Sequence, residues 1–230
     1  MPTKKIVAHR GASKLETENT LKAFEKAIEV GADMIEFDVR QTQDHHFIVH
    51  HDPNIGELFL NESTFEQAQQ AAKQSGFELP TFESVLKLTK GKIQLDIELK
   101  EEGDEENILE LIHNHAHLED VVVTSFHRFS IERIRTLDPR LNIGCILGKR
   151  DQYLKWVKKN HIDPSLDVYA LHWSLIKPSF LNKFETKPIY VWTVNDHAQI
   201  KELLLNDRVA GVVTDCPDEA VQIRKELFKM

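Results

Sequence analysis

Eight short apolar runs, each of strand length, recur along this 230-residue chain, with stretches of helical pattern between most of them. They fall at Lys5–Ala8, Met34–Val39, Ile93–Leu99, Val121–Thr124, Ile143–Leu147, Val168–Leu171, Ile189–Thr193 and Gly211–Thr214. Between runs the apolar spacing changes to three and four. Leu21, Phe24, Ala27 and Ile28 share one face of a helix predicted over Thr20–Val30, with Gly31 as its stop. Ile108, Leu111 and Ile112 repeat that spacing, as do Ile131, Ile134 and Leu137, then Ile200, Leu203 and Leu204. A last helix begins near Pro217, a residue suited to a first turn. Strands alternating with helices predict a parallel sheet covered by helices, and eight of them predict a (β/α)8 TIM barrel. An open doubly wound sheet shares the rhythm, since spacing alone does not show closure.

One further run, Phe47–His51, interrupts the pattern. Only about eight residues separate it from Asp38, fewer than the dozen or so a parallel crossover needs. It reads as a hairpin partner or an extension of the second strand. The stretch from Asn54 to Leu79 lacks strand character and carries a polar helix, Thr64–Gln74. It is expected to be a small insertion, about 54–79, within a single domain over 1–230, before a helix starting near Thr81.

Composition narrows the function. Acidic residues outnumber basic ones, 37 to 29, which opposes broad nucleic-acid binding. An anionic substrate must then be drawn by local positive charge, from a metal or a few placed Arg and Lys. No apolar run reaches the ~20 residues of a spanning helix, so stable membrane insertion is not expected. The opening apolar run is too short for a secretory signal, and a cytoplasmic location is expected. Cys145 and Cys216 show no metal-type spacing and read as buried thiols. Nothing in the sequence fixes an oligomeric state.

In a barrel, chemistry sits at the C-terminal ends of the strands. There lie His9 and Arg10 on the first strand, Glu36 and Asp38 on the second, and Glu98 and Lys100 on the third. Alternation along a strand puts Glu36 and Asp38 on one face, and Glu98 and Lys100 on one face. Three carboxylates turned to one lumen repel strongly, and a hard divalent cation such as Mg2+, Ca2+ or Mn2+ resolves the repulsion. A satisfied layer of Lys–Glu pairs is the alternative. Asp96, two residues before Glu98, is expected to support Lys100 or Arg40, and Asp215 to cap or brace the last helix. Trp192, at the end of the seventh strand, is a candidate groove wall. His113 and His117 have an i,i+4 spacing but read as a wet helix face.

The ordered set His9-Arg10-Gly11, Glu18-Asn19-Thr20, Glu36-Phe37-Asp38, His51-Asp52-Pro53 and Glu98-Leu99-Lys100 resembles the glycerophosphodiester phosphodiesterases. Later segments agree, among them Leu79-Pro80-Thr81-Phe82-Glu83, Val191-Trp192-Thr193-Val194-Asn195 and Val213-Thr214-Asp215. The resemblance implies two catalytic histidines, His9 and His51, as base and acid. It implies Glu36, Asp38 and Glu98 as ligands of one divalent cation, and Arg10 and Lys100 as holders of the substrate phosphate. The implied substrate is a small glycerophosphodiester, released as sn-glycerol 3-phosphate and an alcohol. His50 and His51 are adjacent, so in a strand only one faces the site, and His51 holds the family position. The sequence departs at Thr17, where the family usually has proline, and after Pro53, where a threonine- and glycine-rich continuation is missing. That loop leaves a lysophospholipase D-like reaction on monoacyl lipids as an alternative, with Leu58, Phe59 and Leu60 beside the groove. A catalytically silent barrel that binds phosphorylated ligands would have no need of an acid–base pair.

Overall fold

A computed structural model of the chain describes residues 4–158, 161–184 and 187–229. Eight parallel strands form the barrel: β1 (Lys5–His9), β2 (Met34–Gln41), β3 (Gln94–Leu99), β4 (Val121–Ser125), β5 (Asn142–Leu147), β6 (Val168–His172), β7 (Ile189–Trp192) and β8 (Gly211–Thr214). Each pairs with its neighbours in sequence order, and β1 pairs with both β2 and β8. The sheet closes on itself, which decides between the barrel and the open sheet.

The connecting helices are α1 (Leu21–Glu29), α3 (Phe82–Thr89), α4 (Glu105–His115), α5 (Arg128–Leu137), α6 (Pro178–Leu181), α7 (His197–Leu205) and α8 (Pro217–Phe228), with α2 (Phe65–Gln74) in the insertion. Thr20, Thr64, Thr81 and Asp196 each cap a helix with a side-chain oxygen, satisfying one of the free first-turn N–H groups. Two of the expected repeats are reduced. A 3-10 turn, Arg150–Trp156, follows β5, and only the four-residue α6 follows β6.

Alternation along the strands makes two apolar layers. Outward residues such as Ile6, Ile35, Phe37, Leu95, Ile97 and Val123 pack beneath the helices in the main core. Inward residues Val7, Met34, Val122, Val168, Tyr190 and Val213 form a separate buried plug in the lumen. Burial of each such side chain is worth ~1.5–3 kcal/mol, enough to close the floor of the barrel. One step nearer the C-terminal ends, the inward positions become polar: His9, Glu36, Asp38, Asp96, Glu98 and Thr124.

Phe47–Val49 runs antiparallel to β2, with Val39 opposite Val49, so the extra run is a hairpin partner. Beyond it, Asn54–Ile55 and Leu58–Phe59 form a two-residue ladder that sequence did not predict. Ile48, Ile55, Leu60, Ala68, Ala72 and Leu79 give the insertion a small core of its own. Among the described residues, no helix is long and apolar enough to cross a membrane.

Candidate active site

Strand register assembles the polar residues before any side chain is considered. His9 stands opposite Glu36 across β1 and β2, and Asp38 stands opposite Glu98 across β2 and β3. Glu36, Asp38 and Glu98 are buried, and each offers an oxygen within 4.8 Å of the others. Lys100 Nζ lies 2.8 Å from Asp38 and 2.5 Å from Glu98. Arg10 reaches Asp38 at 3.3 Å and Glu18 at 2.9 Å. Asn19 donates to Asp38 at 2.8 Å.

These pairs divide the carboxylates electrically. Burial alone would raise Asp38, yet Lys100 and Arg10 outweigh it and hold its carboxyl below the usual range. Glu98 is pushed up to about 7, chiefly by burial and against the pull of Lys100. Glu36 is driven well above its ordinary value by burial, then by Asp38, Glu98 and Asp96. Two cationic side chains therefore leave Glu36 without a positive partner of its own, and the three oxygen donors are a set that could hold a hard cation. The donor set fits Mg2+, Ca2+ or Mn2+ equally, because all accept carboxylate oxygen.

The backbone beside His9 is sharply bent. Arg10 and Gly11 both adopt positive φ, 55° and 84°, and Asn19 follows at 56°. The turn aims the Arg10 N–H at Glu36, 3.0 Å away. A non-glycine residue in the left-handed region is uncommon, and two beside one site mark a constrained loop.

Each histidine is held by a carboxylate. His9 Nδ1 donates to Asp215 Oδ1 at 2.6 Å, and His51 Nδ1 donates to Asp52 Oδ1 at 2.7 Å. A carboxylate only accepts, so each Nδ1 carries the proton and each Nε2 is left for the cavity. His9 Nε2 lies 3.9 Å from Glu36. Arg40 fixes the other imidazole through its backbone, donating to the His51 carbonyl at 2.7 Å. His50 turns away, stacking on Phe77 at 5.8 Å. Just beyond the Phe47–Val49 strand, the chain therefore directs His51, and not His50, to the cavity.

Sequence reasoning missed Asp215 and Asp52. The N-terminus of α8 has no side-chain cap, and Asp215 instead takes the His9 hydrogen bond and is itself held by Asn195 at 2.5 Å and Ser13 at 3.1 Å. The signal was available in strand order, because closure sets Ala8 beside Thr214, so the next residues are neighbours. Asp96 is also corrected. Its partner is the Thr124 hydroxyl, which donates at 2.6 Å, while Arg40 pairs with Glu101. Burial raises the Asp96 carboxyl to about 7. His113 and His117 share no helix, since α4 ends at His115, and His113 bonds Asp138.

A cavity of about 170 Å³ opens over this cluster. One wall is His9, Arg10, Glu36, His51, Glu98 and Lys100; the opposite wall is Phe126, Ile146, Ala170, Trp192 and Val213. Trp192 meets Phe126 edge-on at 5.9 Å, and its buried indole N–H has no hydrogen-bond partner among the described residues. One side of the cavity thus suits a charged group and the other a short carbon skeleton.

The model of the Glycerophosphoryl diester phosphodiesterase family matches residues 9–219. A protein of Caldanaerobacter subterraneus named glycerophosphodiester phosphodiesterase is 30% identical, over 95% of this chain and 96% of its own. The crystal structure of a glycerophosphodiester phosphodiesterase from Parabacteroides distasonis matches with a TM-score of 0.83 at 24% identity, covering 99% of both chains. An Oleispira antarctica phosphodiesterase, solved with its product sn-glycerol-3-phosphate, matches with a TM-score of 0.81 at 19% identity, over 95% of this chain and 96% of that one.

Proposed function

The chain belongs to the glycerophosphoryl diester phosphodiesterase family, and on that premise we propose that it hydrolyses small glycerophosphodiesters to sn-glycerol 3-phosphate and an alcohol. The observation that carries this reading is one cavity shared by two carboxylate-tethered imidazoles and a buried trio of carboxylates. A silent binding barrel would gain nothing from fixing two histidines in one tautomer.

Glu36, Asp38 and Glu98 would hold one divalent cation, which when bound supplies positive charge against the phosphoryl oxygens. Arg10 and Lys100 hold the anionic diester on the same wall. They neutralise the charge that grows on its oxygens as the new P–O bond forms. One histidine takes the proton of the attacking hydroxyl through Nε2, and the other gives a proton to the departing alkoxide as its P–O bond breaks. Imidazole titrates near neutrality and serves in either role. Asp215 and Asp52 keep both rings oriented and stabilise whichever becomes imidazolium. The glycerol carbons rest against Trp192 on the apolar wall. The product carried by the Oleispira antarctica protein is the one this reaction releases. A cytoplasmic setting agrees with Cys145 and Cys216, both buried free thiols.

The test is direct. Purified protein is incubated with glycerophosphocholine, glycerophosphoethanolamine and a lysophospholipid, with and without chelator, and glycerol 3-phosphate or free headgroup is measured. Turnover of the soluble diesters that chelator abolishes is expected. No turnover of any diester with Mg2+, Ca2+ and Mn2+ supplied would reject the reaction, and full activity in chelator would reject the metal assignment.

A further inference from the structure

Between Lys149 and Lys187 the balance of charge reverses: eight Lys and Arg face four Asp and Glu, in a chain whose totals are 29 against 37. Two of those four carboxylates are turned inward or engaged, Asp163 being buried and Asp167 paired with Arg135. Lys149, Lys155 and Lys177 are exposed, and none of the three pairs with a carboxylate among the described residues.

Apolar tips stand among these charges. Leu154 is 74% exposed and Trp173 46%. Both lie in loops at the C-terminal ends of β5 and β6, on the same face as the cavity. Contacts join the segments that carry them. The loop after β5 is tied to the start of α5 by Arg128 donating to the Lys155 carbonyl at 2.6 Å. It also packs on the β6–β7 connection through Tyr153 and Phe180, 5.6 Å apart. Trp173 lies tilted against His172 at 5.3 Å, and His172 meets the cavity wall edge-on at Trp192, 5.2 Å away. Across the mouth the sign is opposite, for Glu18, Glu57, Glu62 and Glu102 are exposed on the loops that follow β1, β2 and β3.

We propose that Lys149, Lys155 and Lys177, with Leu154 and Trp173, form a seat for the surface of an anionic lipid bilayer. Juxtamembrane lysines are drawn to anionic headgroups, and leucine and tryptophan enter the interfacial layer. Neither the charge nor two apolar side chains suffices alone, and the combination gives reversible binding rather than insertion. A nucleic acid fits less well, because single strands select grooves of stacking rings and the most exposed group here is an aliphatic leucine. The acidic rim opposite tilts the molecule, so the β5–β6 side approaches the lipid first. This seat stands on surface charge and exposed side chains, independently of the reaction assigned to the cavity.

Sedimentation with phosphatidylcholine vesicles, with and without phosphatidylglycerol, tests it at low and high salt. Wild-type protein should bind the anionic vesicles at least about 10-fold more tightly, and release them at high salt. The triple variant Lys149→Glu, Lys155→Glu, Lys177→Glu should bind them roughly 100-fold more weakly. It should melt at the wild-type temperature and cleave soluble glycerophosphodiester at the wild-type rate. Leu154→Ser should weaken vesicle binding several-fold with its salt dependence retained. Equal partition of wild-type protein onto both vesicles overturns the proposal. Undiminished binding by the triple variant does the same, as does retention of wild type by an oligonucleotide with no vesicle binding. Because sedimentation reads binding alone, it decides the question even where no diester is cleaved.

Discussion

Asp215 Oδ1 lies 2.6 Å from His9 Nδ1, a contact that joins the end of the first barrel strand to the residue just after the last. Burial pushes the Asp215 carboxyl upward, but hydrogen bonds from His9, Asn195 and Ser13 prevail and bring it to about 2. It is therefore a full negative charge whenever the enzyme works, and it dictates which nitrogen of His9 bears the proton. Asp215→Asn should leave the fold intact and lower kcat by on the order of 10²-fold, because an amide tolerates the wrong tautomer. KM should change little. An unchanged kcat in steady-state kinetics would assign Asp215 to helix support alone.

The two adjacent histidines should separate cleanly. His51→Ala and His9→Ala should each lose on the order of 10²-fold or more in kcat/KM, the usual worth of a positioned proton donor or acceptor. His50→Ala removes a ring stacked on Phe77 and should stay within a few-fold of wild type. The opposite ranking would mean that the chain carries His51 away from the cavity in solution.

Stability without metal should fall with rising pH. Asp96 and Glu98 titrate at about 7 in the fold, against ordinary values of 3.8 and 4.5. The folded state thus holds protons that the unfolded chain has already released, and unfolding free energy declines between about pH 4 and 7. Below that window both states are protonated and the difference vanishes; above it the cost is complete. Added divalent cation should raise Tm more at pH 8 than at pH 5. A larger effect at pH 5, read by calorimetry, would contradict the carboxylate assignment.

Gly11 should tolerate no side chain. Its φ is +84°, and a Cβ there would lie 2.7 Å from Ala23 Cβ on α1. Gly11→Ala combines left-handed strain with a clash against a helix and should cost ~2–4 kcal/mol in urea unfolding. Activity should drop as well, since the same turn aims the Arg10 N–H at Glu36.

The residues that were legible in sequence share a property: their role depends on local order. Strand period alone put Glu36 with Asp38 and Glu98 with Lys100, and the family motif chose His51 over its neighbour. Barrel closure was different, because it depends on β1 meeting β8 across some two hundred residues of chain. For the same reason Asp215 was read as helix support, although nothing about Asp215 itself was ambiguous. Asp96 shows the complementary error. Its face was read correctly, but its partner, Thr124, sits on the next strand, and cross-strand register is not written in either segment. After β5 and β6 no apolar face at helical spacing was read, and the connections there are a 3-10 turn and the four-residue α6.

The seam between β1 and β8 also sets an order of events in the cell. His9 leaves the ribosome well before Asp215, so on the proposed mechanism a nascent chain has no oriented first imidazole until the eighth strand has emerged. Seven strands can be in place, with Glu36, Asp38 and Glu98 all present, and His9 still lacks the carboxylate that orients its ring. Fragments ending before Gly211 should be inert alone and regain activity when the missing strand and helix are supplied as a separate piece.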